Sequence, residues 1–277
     1  MPRLIGDAVA SFQESLTQAT HLLASVDDLL LDELGIQWKQ PPNTIQSRMF
    51  RCTFRKMTGN RFDAHYHRPA FESLSATLLS HPHAVLGKVT KLSSELWDQK
   101  SEFEDVFPYV EIGSVNLTLG RLFPPPLVPI SEAASRAKMI IRPGDLLVSL
   151  TRPTRRAICF VPVSLPLAIA SNGFAVIRNL DEAQIVTRYL FHVLRSRVCT
   201  AQFDQRSSGG SYPAITENQL LKLVIPLPKE KKRQSSIADV LDERYDKADA
   251  MLTRANFALE SAKREIEALI LDKEVPT

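Results

Sequence analysis

The chain has 277 residues, 44% of them hydrophobic, enough for one large core or two modest ones. Its 34 basic and 31 acidic residues leave a net charge of +3, which permits nucleic-acid binding without announcing it. Cys52, Cys159 and Cys199 are odd in number and form no CxxC, so they read as buried thiols of a reducing compartment rather than a disulfide framework. No apolar stretch is long enough to span a bilayer, so no membrane is expected and the cytoplasm is the expected location.

The first expected element is a helix over 7–34, ending at Gly35 as a C-terminal cap. Its residues Phe12, Leu16, Ala19, Leu23, Val26 and Leu30 recur with alternating spacings of four and three, a heptad seam. Asp27, Asp28, Asp32 and Glu33 crowd its last turns, where the helix dipole disfavours negative charge. Gln37 to Pro42 reads as a linker, broken rigidly by Pro41-Pro42. Arg51 to Met57 looks strand-like and Arg61 to Tyr66 like a polar loop. Pro69 opens a helix to Leu79, Ala84 to Leu92 reads as a strand, and Ser93 to Glu104 as a loop.

From Tyr109 to Pro226 the pattern changes to short strands between turn residues. These are Tyr109–Val115, Lys138–Ile141, Asp145–Leu150, Ala157–Val161, Ala168–Ala170 and Gly173–Ile177, with Pro143-Gly144-Asp145 as a tight turn. A helix follows over Thr187–Arg197, with Tyr189, Leu190, Val193 and Leu194 on one face. Next come the loop Ser207–Pro213, a short helix from Thr216, a strand around Leu223–Ile225 and the proline exit Pro226-Leu227-Pro228. The last element is a helix over Gln234–Leu271. Its seam runs Leu241, Tyr245, Ala248, Leu252, Ala255, Leu259, Ala262, Ile266, Leu269, and no Pro or Gly interrupts it. At 1.5 Å per residue it spans about 55 Å and needs a partner helix. The fold class expected is α+β: a β-rich head between two long terminal helices paired as an antiparallel coiled coil. The expected domains are 1–36, 37–228 and 229–277.

No GxxxxGK[ST] loop, GxSxG elbow, glycine-rich loop for a methyl donor or metal-dependent nuclease set is present, so no catalytic residue and no cofactor are expected. His65-x-His67 and His81-x-His83 lack a nearby Cys or acidic cluster and read as loop histidines, with no metal site. Two loops carry a binding chemistry. In Thr151-Arg152-Pro153-Thr154-Arg155-Arg156, arginines on a rigid turn can bond phosphates or a guanine edge. In Arg206 to Pro213, Ser208, Gly209, Gly210 and Ser211 let backbone N–H groups approach a phosphate, and Tyr212 can pack on a sugar or base. An exposed basic turn and a flexible surface loop are the plainer readings of the two. Asn116, Asn172 and Lys138 are weaker candidates of the same kind.

Several motifs, in this order, resemble the target recognition domain of type I restriction-modification specificity subunits. They are Tyr109-Val110-Glu111-Ile112-Gly113, Ile141-Arg142-Pro143-Gly144-Asp145-Leu146-Leu147, Thr151-Arg152-Pro153, Ala170-Ser171-Asn172-Gly173-Phe174, Tyr189-Leu190-Phe191, Gly210-Ser211-Tyr212-Pro213-Ala214-Ile215-Thr216 and Ile225-Pro226-Leu227-Pro228. Gln234-xx-Ile237-Ala238, leading into the heptads, is similar to that family's spacer. The resemblance implies a non-catalytic subunit that reads half of a split site in double-stranded DNA. Its implied partners are a DNA methyltransferase subunit and a restriction/translocating subunit. The family carries two recognition domains where this chain has one, which implies a homodimer or a complementary half-subunit. The seams through Leu16, Leu23, Leu30, Leu241, Tyr245, Leu252, Leu259 and Ile266 are the expected partner-helix contacts. A specificity subunit of a combined cutting and methylating type II enzyme, or a coiled-coil scaffold that binds protein, are the other readings.

Overall fold

A computed structural model describes residues 2–42, 44–57, 61–99 and 101–271. The N-terminal elements are α1 (Pro2–Ala24), α2 (Val26–Leu34), α3 (Ile45–Arg48) and α4 (Pro69–Leu79). Then come β1 (His83–Val85), α5 (Leu86–Val89), β2 (Thr90–Leu92), β3 (Val106–Val110), β4 (Val115–Asn116), β5 (Arg121–Leu122) and β6 (Leu127–Pro129). The centre holds β7 (Ala137–Ile141), β8 (Leu146–Ser149), β9 (Ile158–Phe160), β10 (Ala168–Ser171) and β11 (Phe174–Leu180). The chain closes with α6 (Thr187–Arg195), α7 (Arg197–Arg206), α8 (Glu217–Leu220), β12 (Val224–Pro226) and α9 (Lys231–Leu271). Among the described residues no helix is long and apolar enough to cross a membrane.

Two four-stranded sheets, ordered β6-β3-β10-β7 and β2-β11-β8-β9, enclose one shared core. Val110, Met139, Ile141, Ala168 and Ala170 of the first sheet meet Leu147, Cys159, Phe174 and Val176 of the second. The alternate residues Tyr109, Ile140 and Ile169 point to the opposite face, where Trp97 and Phe107 cover them. A strand's period of two thus serves two cores, which is why these strands read as near-continuous apolar runs. β10 pairs parallel to β3 and antiparallel to β7.

The Pro143-Gly144-Asp145 turn joins β7 to β8, with Gly144 at φ +85. Asp145 is 2% exposed; its Oδ2 accepts from the Arg142 N–H at 2.8 Å. Arg178 on β11 donates from Nε to Oδ1 and from Nη2 to Oδ2, each at 2.8 Å. This bidentate bond to Asp145 raises the Arg178 pKa, and Glu95, 2.9 Å from Arg178, adds to it. Glu95 also pairs with Arg142; that bond and then Arg178 hold its carboxyl below the usual range.

Several expectations are corrected. The helix over 7–34 is two helices, α1 and α2, parted at Ser25, whose hydroxyl donates to the Leu22 carbonyl at 2.7 Å. Residues 51–57 form no strand; a 3-10 turn, Phe54–Lys56, stands there, and among the described residues no strand edge pairs with it. Ala84 to Leu92 is β1, α5 and β2, because the Leu86 and Gly87 N–H groups turn to the Leu223 and Leu221 carbonyls at 2.8 Å. The strand expected to Val115 stops at Val110, and Ile112–Ser114 is a 3-10 turn. The helix expected over Thr187–Arg197 breaks at Ser196, whose hydroxyl accepts from the Cys199 N–H to start α7. Cys159 and Cys199 are buried, but Cys52 is half-exposed.

The chain divides into two compact units, Met1–Leu30 with Asp239–Thr277, and Leu31–Ala238. Within the first, Ala19, Val26, Leu30, Leu241, Ala248 and Ala255 are buried, and Leu23, Tyr245, Leu252 and Leu259 are half-buried. Leu16 is 42% exposed, so it lacks the cover its seam position implies. Arg244 Nη1 donates to Ser25 Oγ at 2.6 Å. The side chain of Ile266 lies outside the described residues. In the second unit, Gln234 is fully buried; its Oε1 accepts from Val186 N–H and its Nε2 donates to the Gln184 and Pro228 carbonyls, all at 2.8 Å. These three bonds fix the first turn of α9 to the strand exit and explain the Gln in the motif.

Candidate nucleic-acid interface

The two loops singled out in the sequence are brought together. β8 ends at Ser149, whose hydroxyl donates to the Thr151 carbonyl at 2.7 Å and turns the chain. Thr151 then bridges Ala214, and the Arg152 N–H donates to the Pro213 carbonyl at 2.7 Å. The Ser207–Pro213 loop is itself closed by Ser208 and Ala214, which exchange bonds of 2.9 and 2.8 Å. Gly209, at φ +101, supplies the backbone this closure needs, and a Cβ there would stand 3.1 Å from the Tyr212 carbonyl oxygen.

The basic turn is held in an unusual shape. Pro153–Arg155 is a 3-10 turn flanked by Arg152 at φ 48 and Arg156 at φ 59, both left-handed and neither a glycine. Each such residue costs on the order of 1–2 kcal/mol, so the surroundings must impose it. Pro153 is buried beneath the turn. The buried Arg195, 4% exposed, donates from Nη1 to the Arg156 carbonyl at 2.8 Å, and from Nη2 to the Leu117 and Thr118 carbonyls at 2.9 Å. Its guanidinium also lies 5.4 Å from the Phe191 ring centre.

The three arginines of the turn then have different tasks. Arg152 stacks 4.1 Å over the Tyr212 ring and donates to the Ser211 carbonyl at 3.1 Å, tying the loops side by side. Arg156 donates from Nε to the Thr200 hydroxyl at 2.9 Å, anchoring the turn on α7. Arg155 is exposed and makes no side-chain hydrogen bond or ion pair among the described residues. Thr154 is half-exposed, Ser208, Gly209, Gly210 and Ser211 are exposed, and Tyr212 is 69% exposed.

Asn116 is joined to this cluster indirectly. Its Oδ1 accepts from the Thr118 and Leu119 N–H groups at 3.0 Å, building the β4–β5 turn whose carbonyls Arg195 holds. Lys138 sits half-buried within β7, on the other four-stranded sheet. The histidine pairs spend ring nitrogens on backbone carbonyls: His65 on Asp204 at 3.0 Å, His67 on Arg61 at 2.7 Å, and His81 on Gly35 at 3.0 Å. Among the described residues no three His, Cys, Asp or Glu side chains are grouped to hold a metal ion.

Residues 86–260 match the family model of the type I restriction modification DNA specificity domain. The chain belongs to that family. Over 134 residues it is 31% identical to the Haemophilus influenzae type I restriction enzyme HindI specificity subunit, covering 47% of this chain and 28% of that protein. The HsdS subunit of Thermoanaerobacter tengcongensis superposes with a TM-score of 0.51 at 31% identity, over 68% of this chain and 46% of that one. A chain from a structure describing assembly and conformational transition of the type I R-M system gives 0.54 at 31% identity, over 68% and 48%. The chain thus spans about half or less of the length of these relatives.

The specificity domain is therefore organised by residues the sequence reading passed over. Arg195 lay within the expected helix over Thr187–Arg197 but off its named apolar face, yet Tyr189 to Arg195 are all buried, His192 and Arg195 included. Gly120, at φ +66, would place a Cβ 2.7 Å from the Phe191 ring and 2.8 Å from Arg195 Nη1. Asn116 and Gly120, at the two ends of Asn116-Leu117-Thr118-Leu119-Gly120, were the available signals of that turn.

Proposed function

We propose that this chain is the DNA-reading specificity subunit of a type I restriction-modification complex, and that its head reads one half of an interrupted site in double-stranded DNA. The observation that carries the reading is the joined pair of loops: a strained basic turn and a glycine loop lie side by side, presenting Arg155 and Tyr212 to solvent. A rigid presented arginine suits a guanine edge or a phosphate, and an exposed aromatic ring suits a sugar or base face. Thr154, Ser208 and Ser211 border them, with Asn116 and Lys138 as outlying contacts.

In this account residues 37–228 read DNA, while 1–36 and 229–277 form an antiparallel coiled-coil spacer through Leu23, Leu30, Leu241, Tyr245, Leu252 and Leu259. The subunit is non-catalytic and docks a methyltransferase subunit and a restriction subunit in the cytoplasm. The other half of the site would be read by a second head, supplied by a second copy or a complementary half-subunit. The test is duplex binding by the full chain purified with its methyltransferase. Arg155→Ala should cost about 1–3 kcal/mol on the preferred duplex and relax preference at one base pair. An equal loss on every duplex would reassign Arg155 to a phosphate; no preference by the wild-type complex for any duplex would contradict the reading.

A further inference from the structure

The described residues of 44–68 form a second basic surface outside the two loops. In sequence this one segment holds Arg48, Arg51, Arg55, Lys56, Arg61 and Arg68 against the single acid Asp63, so it carries more net positive charge than the whole chain. Arg48, Arg51 and Arg55 are exposed, and between them stand Met49 at 75% and Phe54 at 78% exposure. Asp63 is already engaged by Arg61, Nε to Oδ2 at 2.6 Å, which leaves the outer arginines uncompensated by it.

This segment is physically continuous with the loop cluster. Phe54 stacks on Phe62 with ring centres 6.3 Å apart, next to Arg61. Arg61 donates from Nη1 to the Arg206 carbonyl at 3.1 Å and from Nη2 to the Ser207 carbonyl at 3.4 Å, at the root of the glycine loop. Gln205 donates to the Tyr66 carbonyl at 3.1 Å beside it. A groove of about 650 Å³ runs between the two, with Arg61, Asp63 and His65 on one side and Asp204, Ser207, Ser208, Gly209 and Pro213 on the other; its two acids place the phosphate contacts on the outer arginines rather than in the groove.

Resting on the DNA reading above, we infer that Arg48, Arg51 and Arg55 bind the sugar–phosphate backbone of duplex DNA next to the stretch read by the loops. The chemistry is sequence-independent. Exposed guanidinium groups on an arm with little regular structure match a row of phosphates, whereas base reading needs the rigid placement that Arg155 has. Charge favours DNA over a protein partner: the surface is cationic with apolar side chains interleaved, and a duplex offers about one negative charge per 1.7 Å of axis.

The experiment is a salt series, from about 50 to 200 mM, with the full chain and its methyltransferase on a motif-bearing duplex and on a random duplex of equal length. Arg48→Gln/Arg51→Gln/Arg55→Gln should weaken both duplexes by the same factor and leave their ratio unchanged. The slope of log affinity against log salt should become shallower by about 2–3 units, near 0.9 for each phosphate released. The reversal Arg51→Glu/Arg55→Glu should exceed this in the same direction, with thermal unfolding unchanged in both variants. An unchanged slope on the random duplex overturns the inference. So does an unchanged slope with a loosened methyltransferase complex, which would make the surface a protein dock. Failure of the parent reading is separate: there the wild-type complex shows no ratio between the two duplexes.

Discussion

Arg195 holds Arg156 by its backbone: the guanidinium reaches the Arg156 carbonyl at 2.8 Å while its other nitrogen grips Leu117 and Thr118. One buried cation thereby sets both the basic turn and the β4–β5 turn. Replacing it with Met removes the donor from the partly buried Leu117 and Thr118 carbonyls and leaves Arg156 only the Ile158 N–H, each lost bond costing ~1–3 kcal/mol where water does not take its place. Arg195→Met should therefore lower stability by roughly 3 kcal/mol, measured by urea unfolding. Arg195→Lys, which cannot span both turns, should recover only part of it.

Gly120 is the steric counterpart of that clamp. In Gly120→Ala the new methyl meets the Phe191 ring at 2.7 Å and Arg195 Nη1 at 2.8 Å, on a left-handed backbone. Strain and overpacking should together cost about 2–4 kcal/mol. A thermal midpoint equal to the wild type's would show that the ring and the guanidinium move aside.

Asp145→Asn tests the turn between β7 and β8. It removes a buried carboxylate that accepts twice from Arg178 and once from the Arg142 backbone. The expected loss is about 3 kcal/mol, at the low end for a broken buried pair because Arg178 keeps Glu95.

The hydrogen bond from Arg61 holds the Asp63 carboxyl below its ordinary 3.8. A lowered folded-state pKa contributes stability above 3.8 that fades as pH falls through the folded value. The stability difference between wild type and Asp63→Asn should be constant from neutral pH down to about 4 and vanish below it. The effect is small, since both side chains meet water.

Burial pushes the Cys159 thiol up to about 12 from 9.0, so it stays protonated and inert at neutral pH. An Ellman titration of the native chain should find the half-exposed Cys52 reacting first, with Cys159 and Cys199 appearing on unfolding. Because the folded pKa is raised, this thiol lowers stability only as pH rises above 9.0.

Much of this was written in local chemistry. Pro143-Gly144-Asp145 announced its turn, the heptads from Leu241 announced α9, and the glycines at 209 and 210 announced a loop. What stayed hidden depends on partners far along the chain. Residues 51–57 have strand-like composition but no edge to pair with, and β propensity is a statement about neighbours. Nothing local reveals that β10 lies parallel to β3. Nor does it reveal that Arg152 and Arg156 serve the neighbouring loop and α7 while Arg155 is left to solvent: three arginines in one hexapeptide look alike until their partners are placed.

The most direct test of the central claim is genome-wide adenine-methylation mapping. The host expresses the methyltransferase alone, with this chain, or with its Arg155→Ala variant. The account predicts an interrupted motif that appears only with this chain and loses preference at one position, in each half occupied by this head, in the variant. A methylation pattern identical with and without the chain, although the two proteins form a stable complex, would contradict it.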